Sequence, residues 1–160
     1  MAERRGRCWH KRGLIFRPQG QWGWMNSHAQ VPTALVLEDR IRVYVASRPK
    51  AGLSLTGYVD LDIEDPSKII TISSKPILDL GGPGSFDEHG IMPSAVVRDG
   101  DRVRLYYSGW SRLAGVAPYH NTTGLALSRD GGQTFAREYP GPVLDRSRAE
   151  PFSATSPCVV

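Results

Sequence analysis

One short phrase recurs along this chain, and it limits what the chain can fold into. Val31-Pro32-Thr33-Ala34-Leu35-Val36 returns as Met92-Pro93-Ser94-Ala95-Val96-Val97, and Ser156-Pro157-Cys158-Val159-Val160 begins it a third time. The three prolines are 61 and 64 residues apart. Self-similarity at a near-fixed period marks an array of like units, each unable to bury its apolar faces alone.

Each copy opens a set of strands. Leu35-Val36-Leu37 leads through Glu38-Asp39-Arg40 into Ile41-Arg42-Val43-Tyr44-Val45, and Val96-Val97 leads through Arg98-Asp99-Gly100-Asp101 into Arg102-Val103-Arg104-Leu105-Tyr106-Tyr107. Alternating apolar and charged residues around such turns predict hairpins. Third strands are predicted at Leu55–Leu61 and Thr123–Ser128. Fourth strands are predicted at Pro76-Ile77-Leu78-Asp79 and Pro142-Val143-Leu144-Asp145, with Leu14-Ile15-Phe16 as a further copy of the fourth. Four antiparallel strands per unit is the pattern of a propeller blade. No segment sustains a 3.6-residue period, so no long helix is expected. Seventeen Gly and twelve Pro supply the turns of an all-β fold.

The expected organisation is a basic N-terminal arm over 1–13 and a partial β-propeller over 14–160. Blade one covers about 31–79, blade two about 92–145, and a third blade starts at 156–160. Two blades cannot close a ring. Either the chain is a piece of a longer protein or its gene is truncated, and the rest of the propeller is the partner expected to cover its open faces.

The net charge is +4. Much of the excess sits in Arg4, Arg5, Arg7, Lys11, Arg12 and Arg17, read as a solvated tail, so nucleic acid is not an expected partner. No apolar stretch follows these charges as in a signal peptide, and none is long enough to span a membrane. Cys8 and Cys158 have no metal-ligand spacing and define no disulfide framework. A cytoplasmic location with no cofactor and no metal is the expectation, and Asn121-Thr122-Thr123 is taken as a chance sequon.

If the repeated strands are innermost, the loops before them converge at one end of the channel, where propeller ligands bind. Those loops are Trp22–Gln30, Ser85–Ile91 and Arg148–Thr155. Asp87, Glu88 and Glu150 are the candidate catalytic carboxylates. His28, His89, Trp24, Gln30, Tyr119 and His120 are the candidate substrate-binding groups, and Trp22, Phe86 and Phe152 offer further faces for stacking on sugar. Each has a plainer reading. Asp87 and Glu88 follow a glycine-rich stretch and suit a solvated loop; Glu150 precedes Pro and suits a turn cap. The histidines suit structural hydrogen bonds, and Trp22 and Trp24 suit core packing. Arg48 and Arg112 are expected on the surface.

Three stretches carry a resemblance. These are Leu105-Tyr106-Tyr107-Ser108-Gly109-Trp110, the run from Gly124 to Phe135, and the acidic loop from Asp87 to Ala95. Together they resemble the five-bladed propellers of the arabinanase, levansucrase and invertase superfamily, which includes the family 32, 43, 68 and 130 glycoside-active enzymes. Ser128-Arg129-Asp130-Gly131-Gly132-Gln133-Thr134-Phe135 also resembles the Asp-box of sialidases, whose work is structural. The resemblance implies a carbohydrate or sugar-conjugate ligand and cleavage of a glycosidic bond.

Glycoside hydrolysis usually needs two carboxylates across the scissile bond. The resembled hydrolases carry one at the start of blade one, where this chain reads Met25-Asn26-Ser27-His28, so Ser27 stands in the nucleophile's place. That departure leaves three readings open. One is hydrolysis with Asp87 and Glu150 as the pair, supported by Glu88 and His89. Another is phosphorolysis, in which phosphate is the nucleophile. The third is a non-catalytic glycan-binding or scaffolding propeller.

Overall fold

The computed structural model describes residues 9–20, 22–49, 51–115 and 118–159. Arg4, Arg5, Arg7 and Cys8 of the basic arm, and Val160 of the third repeat, lie outside the described residues. Each full repeat builds one four-stranded antiparallel sheet, and the described residues contain no helix. The first sheet is β1 (Ser27–Val36), β2 (Arg40–Arg48), β3 (Leu55–Asp62) and β4 (Ile69–Ile72), in chain order across the sheet. The second is β5 (Gly90–Asp99), β6 (Arg102–Arg112), β7 (Tyr119–Ser128) and β8 (Ala136–Arg137). Two such up-and-down sheets packed together are two blades of a β-propeller.

The Pro-(Thr/Ser)-Ala phrase lies in the first strand of each blade. Val31, Pro32 and Thr33, Met92, Pro93 and Ser94, and Ser156 of the third copy line one cavity of about 170 Å³. All three copies therefore converge on one line, as innermost strands around an axis would. The third copy forms no strand over 156–159. It is tied to blade two instead, where Thr155 Oγ1 donates to Ser108 Oγ (2.6 Å) and Ser156 N donates to the same oxygen (3.1 Å).

The predicted fourth strands are not where the sheets end. The fourth strands are Ile69–Ile72 and Ala136–Arg137, because tight turns reverse the chain straight after β3 and β7. Asp62 Oδ1 accepts from the amides of Glu64 and Asp65 in the first turn. Asp130 accepts from Ser128 Oγ, Gln133 N, Thr134 N and Thr134 Oγ1 in the second. The Pro76–Asp79 segment crosses between the blades: Ile77 N donates to Thr56 O (2.9 Å) and Ile77 O accepts from Phe135 N (2.8 Å). Of Pro142–Asp145, Leu144 makes one isolated bridge to Thr123. Leu14-Ile15-Phe16 also forms no strand. Ile15 and Phe16 line one cavity with Val43, Val45, Val59 and Leu61 of blade one.

The core lies between the sheets. Leu35, Tyr44, Ile77 and Leu78 pack on Ile91, Val103, Leu105, Tyr107, Ala126 and Phe135. Period-two alternation brings these residues to one face. Polar locks span the same interface. Arg42 pairs bidentately with the buried Asp60 (Nε–Oδ1 and Nη2–Oδ2, both 2.7 Å), and its Nη1 donates to Gly131 O of the Asp130 turn. Tyr44 OH donates to Gly132 O at 2.8 Å. At the other end, Ile91 N donates to Ser54 O (2.9 Å) and Ser54 N to His89 O (3.1 Å), which fastens the start of β5 to the start of blade one's third strand.

Candidate functional site

Antiparallel order brings the starts of β1, β5 and β7 and the ends of β2 and β6 to one rim. There Arg48, Met92, Trp110, Tyr119 and Asn121 line a small open pocket of about 150 Å³. Each is placed by a strand terminus. Arg48 ends β2 on the face turned towards blade two, and its Nε donates to Gln30 Oε1 at 3.1 Å. Trp110 pairs with Gly90 across β5 and β6, and the missing Cβ of Gly90 is what lets the indole lie over it. His89 stacks on the Trp110 ring at 5.9 Å, and Tyr119 meets that ring edge-on at 5.4 Å. His89 Nδ1 accepts from Arg112 N at 3.4 Å, so the neutral ring carries its proton on Nε2 and is a donor there.

Backbone strain marks the same rim. The first half of β1 slips register between Ser27 and Gln30 and again between Gln30 and Thr33. His28 (φ 65°) and Val31 (φ 47°) sit in the left-handed region there, which is costly for side-chain-bearing residues and most of all for a β-branched one. Strain of this kind collects at functional sites. Gln30 is thereby turned to meet Arg48, while His28 is exposed, its Nδ1 2.8 Å from Ser27 Oγ.

The predicted carboxylates lie elsewhere. Asp87 is completely buried beside blade two, where its Oδ2 accepts from Tyr107 OH (2.9 Å) and Arg137 Nε (2.8 Å). A Cβ on Gly109 would fall 2.8 Å from Asp87 Cβ, so the backbone is shaped around this side chain. Burial and the adjacent Asp87 charge push the Tyr107 hydroxyl well above its ordinary pKa, which keeps it a neutral donor. Asp87 Oδ1 is buried without a hydrogen-bond partner. As placed, Asp87 has no surface to present to a substrate. Glu88 holds its own loop, accepting from Gly84 N at 2.9 Å. Glu150 is exposed on a turn in which Ser147 Oγ accepts its amide.

Of the remaining candidates, Tyr119, His89 and Gln30 come together at the rim. Trp24 does not. Its indole Nε1 donates to Ser74 O and its ring fills the space over Gly57 of β3. His120 stands in β7, rather than in a loop, and meets Asp145 Oδ1 at 3.0 Å. Phe86 stacks on Tyr107 in the core; Trp22 and Phe152 are exposed. Sequence reasoning missed Arg48 and Trp110 as site residues, and it set Asn121 beside Tyr119 and His120 as reaching the channel mouth or covering a blade edge. The available signal for Arg48 and Trp110 was positional: both stand at the rim ends of long strands. Arg48 is half-buried in the pocket wall, not a free surface side chain.

No protein-family model matches the chain. It is 39% identical over 154 residues to Rv1502 and to MT1551, uncharacterized proteins of two Mycobacterium tuberculosis strains (ATCC 25618 / H37Rv and CDC 1551 / Oshkosh). The match takes in 96% of this chain and 51% of each relative, so the chain spans about half the length of the curated relatives it matches. Among solved structures it is similar to Zg3597, a family 117 glycoside hydrolase of the marine bacterium Zobellia galactanivorans. There the TM-score is 0.61 at 19% identity, over 84% of this chain and 37% of that one. It is also similar to another glycoside hydrolase (TM-score 0.55, 20% identity, 82% and 39% covered) and to a BT0996 RGII complex (0.56, 16%, 83% and 41%). At these identities the likeness is one of fold: a partial β-propeller of the kind glycoside hydrolases use.

Proposed function

We propose that the chain is part of a glycosidase-like, carbohydrate-active propeller and that the pocket at Arg48, Trp110, Tyr119 and Asn121 is its glycan site. The observation that carries this reading is the pocket's chemistry at the end of an inter-blade axis. An aromatic pair, Trp110 and Tyr119, stands beside Arg48, held through its Nε by Gln30, and the Asn121 amide, a combination suited to sugars. The fold shared with glycoside hydrolases supports it, as do the stretches resembling families 32, 43, 68 and 130 of the five-bladed superfamily.

Within the glycosidase reading, cleavage needs an acid and a nucleophile or base. Glu150 is the predicted carboxylate with an open side chain, and phosphate as nucleophile would lower the number of carboxylates required. A second reading, glycan binding without turnover, is favoured by the burial of Asp87 and by a pocket wall without a carboxylate. Titration with an oligosaccharide panel tests the common claim. Tyr119→Ala and Asn121→Ala should each weaken binding about tenfold, whereas unchanged affinity would remove the pocket from the site. Release of aryl leaving groups, measured with and without phosphate, separates hydrolysis, phosphorolysis and binding alone.

A further inference from the structure

The glycan site carries a bias in charge and in hydrogen-bond polarity that the carbohydrate reading does not need. Most arginines of the strands are spent on acids. Arg40 and Arg42 reach Asp60, Arg104 reaches Asp99, Arg137 reaches Asp87, and Arg102 comes within 4.0 Å of Asp101. Arg48 and Arg112 reach no carboxylate among the described residues, and both stand at the rim. Arg98 also makes no ion pair among the described residues, but at the opposite end of the blades it shares a pocket with Glu38, Asp39 and Asp130.

Arg48 is the informative one, because it is half-buried and its position is built. Its Nε is held by the neutral Gln30 amide, which fixes the guanidinium plane without neutralising it. Its two terminal nitrogens have no protein acceptor among the described residues. Around it the other polar side chains of the pocket can act as donors: the Asn121 amide and the Tyr119 hydroxyl. The acids of the neighbouring loops are engaged or turned away. Asp145 meets His120, Glu88 accepts from Gly84 N, and Glu150 does not line the pocket. The terminal nitrogens of Arg48 are therefore open to an acceptor that a ligand brings into the pocket.

We infer that the pocket selects a sugar bearing an anionic substituent, a carboxylate or a sulfate, and that Arg48 is its principal contact. The planar guanidinium suits both groups, since each presents paired oxygens to a two-pronged donor. This inference rests on the glycan-site reading and narrows it to acidic saccharides.

Calorimetric titration of the chain with three matched disaccharides tests it: a neutral hexose form, its uronic acid and its sulfate ester. At least one acidic form should bind about tenfold or more tightly than the neutral one, and the preference should shrink as salt rises. Arg48→Gln should abolish the preference, weakening the acidic form by about tenfold more than the neutral one. Arg48→Lys should keep part of it, and Arg98→Gln should leave it intact. Whichever acidic form is preferred identifies the group. Equal binding of neutral and acidic forms, or a preference that survives in Arg48→Gln, overturns the anionic-substituent inference and leaves the glycan site standing. No binding of any of the three overturns both.

Discussion

Asp87 illustrates how one side chain can fit two accounts. In the sequence it sits in an acidic loop ahead of a repeated inner strand, where a catalytic acid belongs. In the fold it is enclosed between Tyr107 and Arg137. Removing one member of a buried, hydrogen-bonded ion pair leaves the other without its counter-charge, so Asp87→Asn should destabilise the fold by about 2 kcal/mol or more in urea denaturation. An unchanged midpoint together with lost turnover would restore Asp87 as a reacting group. Asp130 differs in kind. Burial raises its pKa, but hydrogen bonds from Ser128, Thr134 and Gln133 outweigh it and bring the value down to about 2 from 3.8. The folded state thus holds the ionised form more tightly than the unfolded state does. Its contribution is complete above the unfolded value and is lost as pH falls through about 2. Denaturation midpoints for wild type and Asp130→Asn should therefore converge as the pH is lowered towards 2; a constant gap would contradict the assignment. Carboxylates can be read from a sequence, but their burial cannot, which is why Asp87 was read as catalytic there, while a turn motif already marked Asp130 as structural.

Among the elements, the strands with alternating patterns were the legible ones. The repeat, both hairpins and both third strands stand where apolar and polar residues alternate, because that alternation is itself the pleat. The fourth strands were misplaced because Pro76-Ile77-Leu78 and Pro142-Val143-Leu144 are as apolar as strands while serving as inter-blade packing and a single bridge. Tyr44 and Tyr107 are both fully buried, and Tyr44 ties blade one to the Asp130 turn of blade two. Tyr44→Phe removes the bond to Gly132 O and should cost about 1 kcal/mol of stability, read as a lower thermal midpoint. The strained start of β1 makes an opposite prediction. Val31→Gly relieves a left-handed β-branched residue, so the midpoint should hold or rise despite glycine's greater unfolded-state entropy. A clear fall would show that the conformation is not strained.

For the molecule as a whole, two blades bring together residues that no local pattern connects. Arg48 from blade one meets Trp110, Tyr119 and Asn121 from blade two only because the sheets stack and share a rim. Sequence spacing located the rim, through the loops before each repeat, and named Gln30, His89 and Tyr119 within it. It did not name the second-strand ends, since a terminal arginine reads the same whether it faces solvent or a neighbouring blade. Carbohydrate binding at that rim is the central claim, and residue-resolved NMR during an oligosaccharide titration tests it most directly. The Arg48 Nε, Trp110 indole and Asn121 side-chain amide signals should shift and saturate together at one ligand concentration. Shifts confined to other regions, or none across the panel, would contradict it.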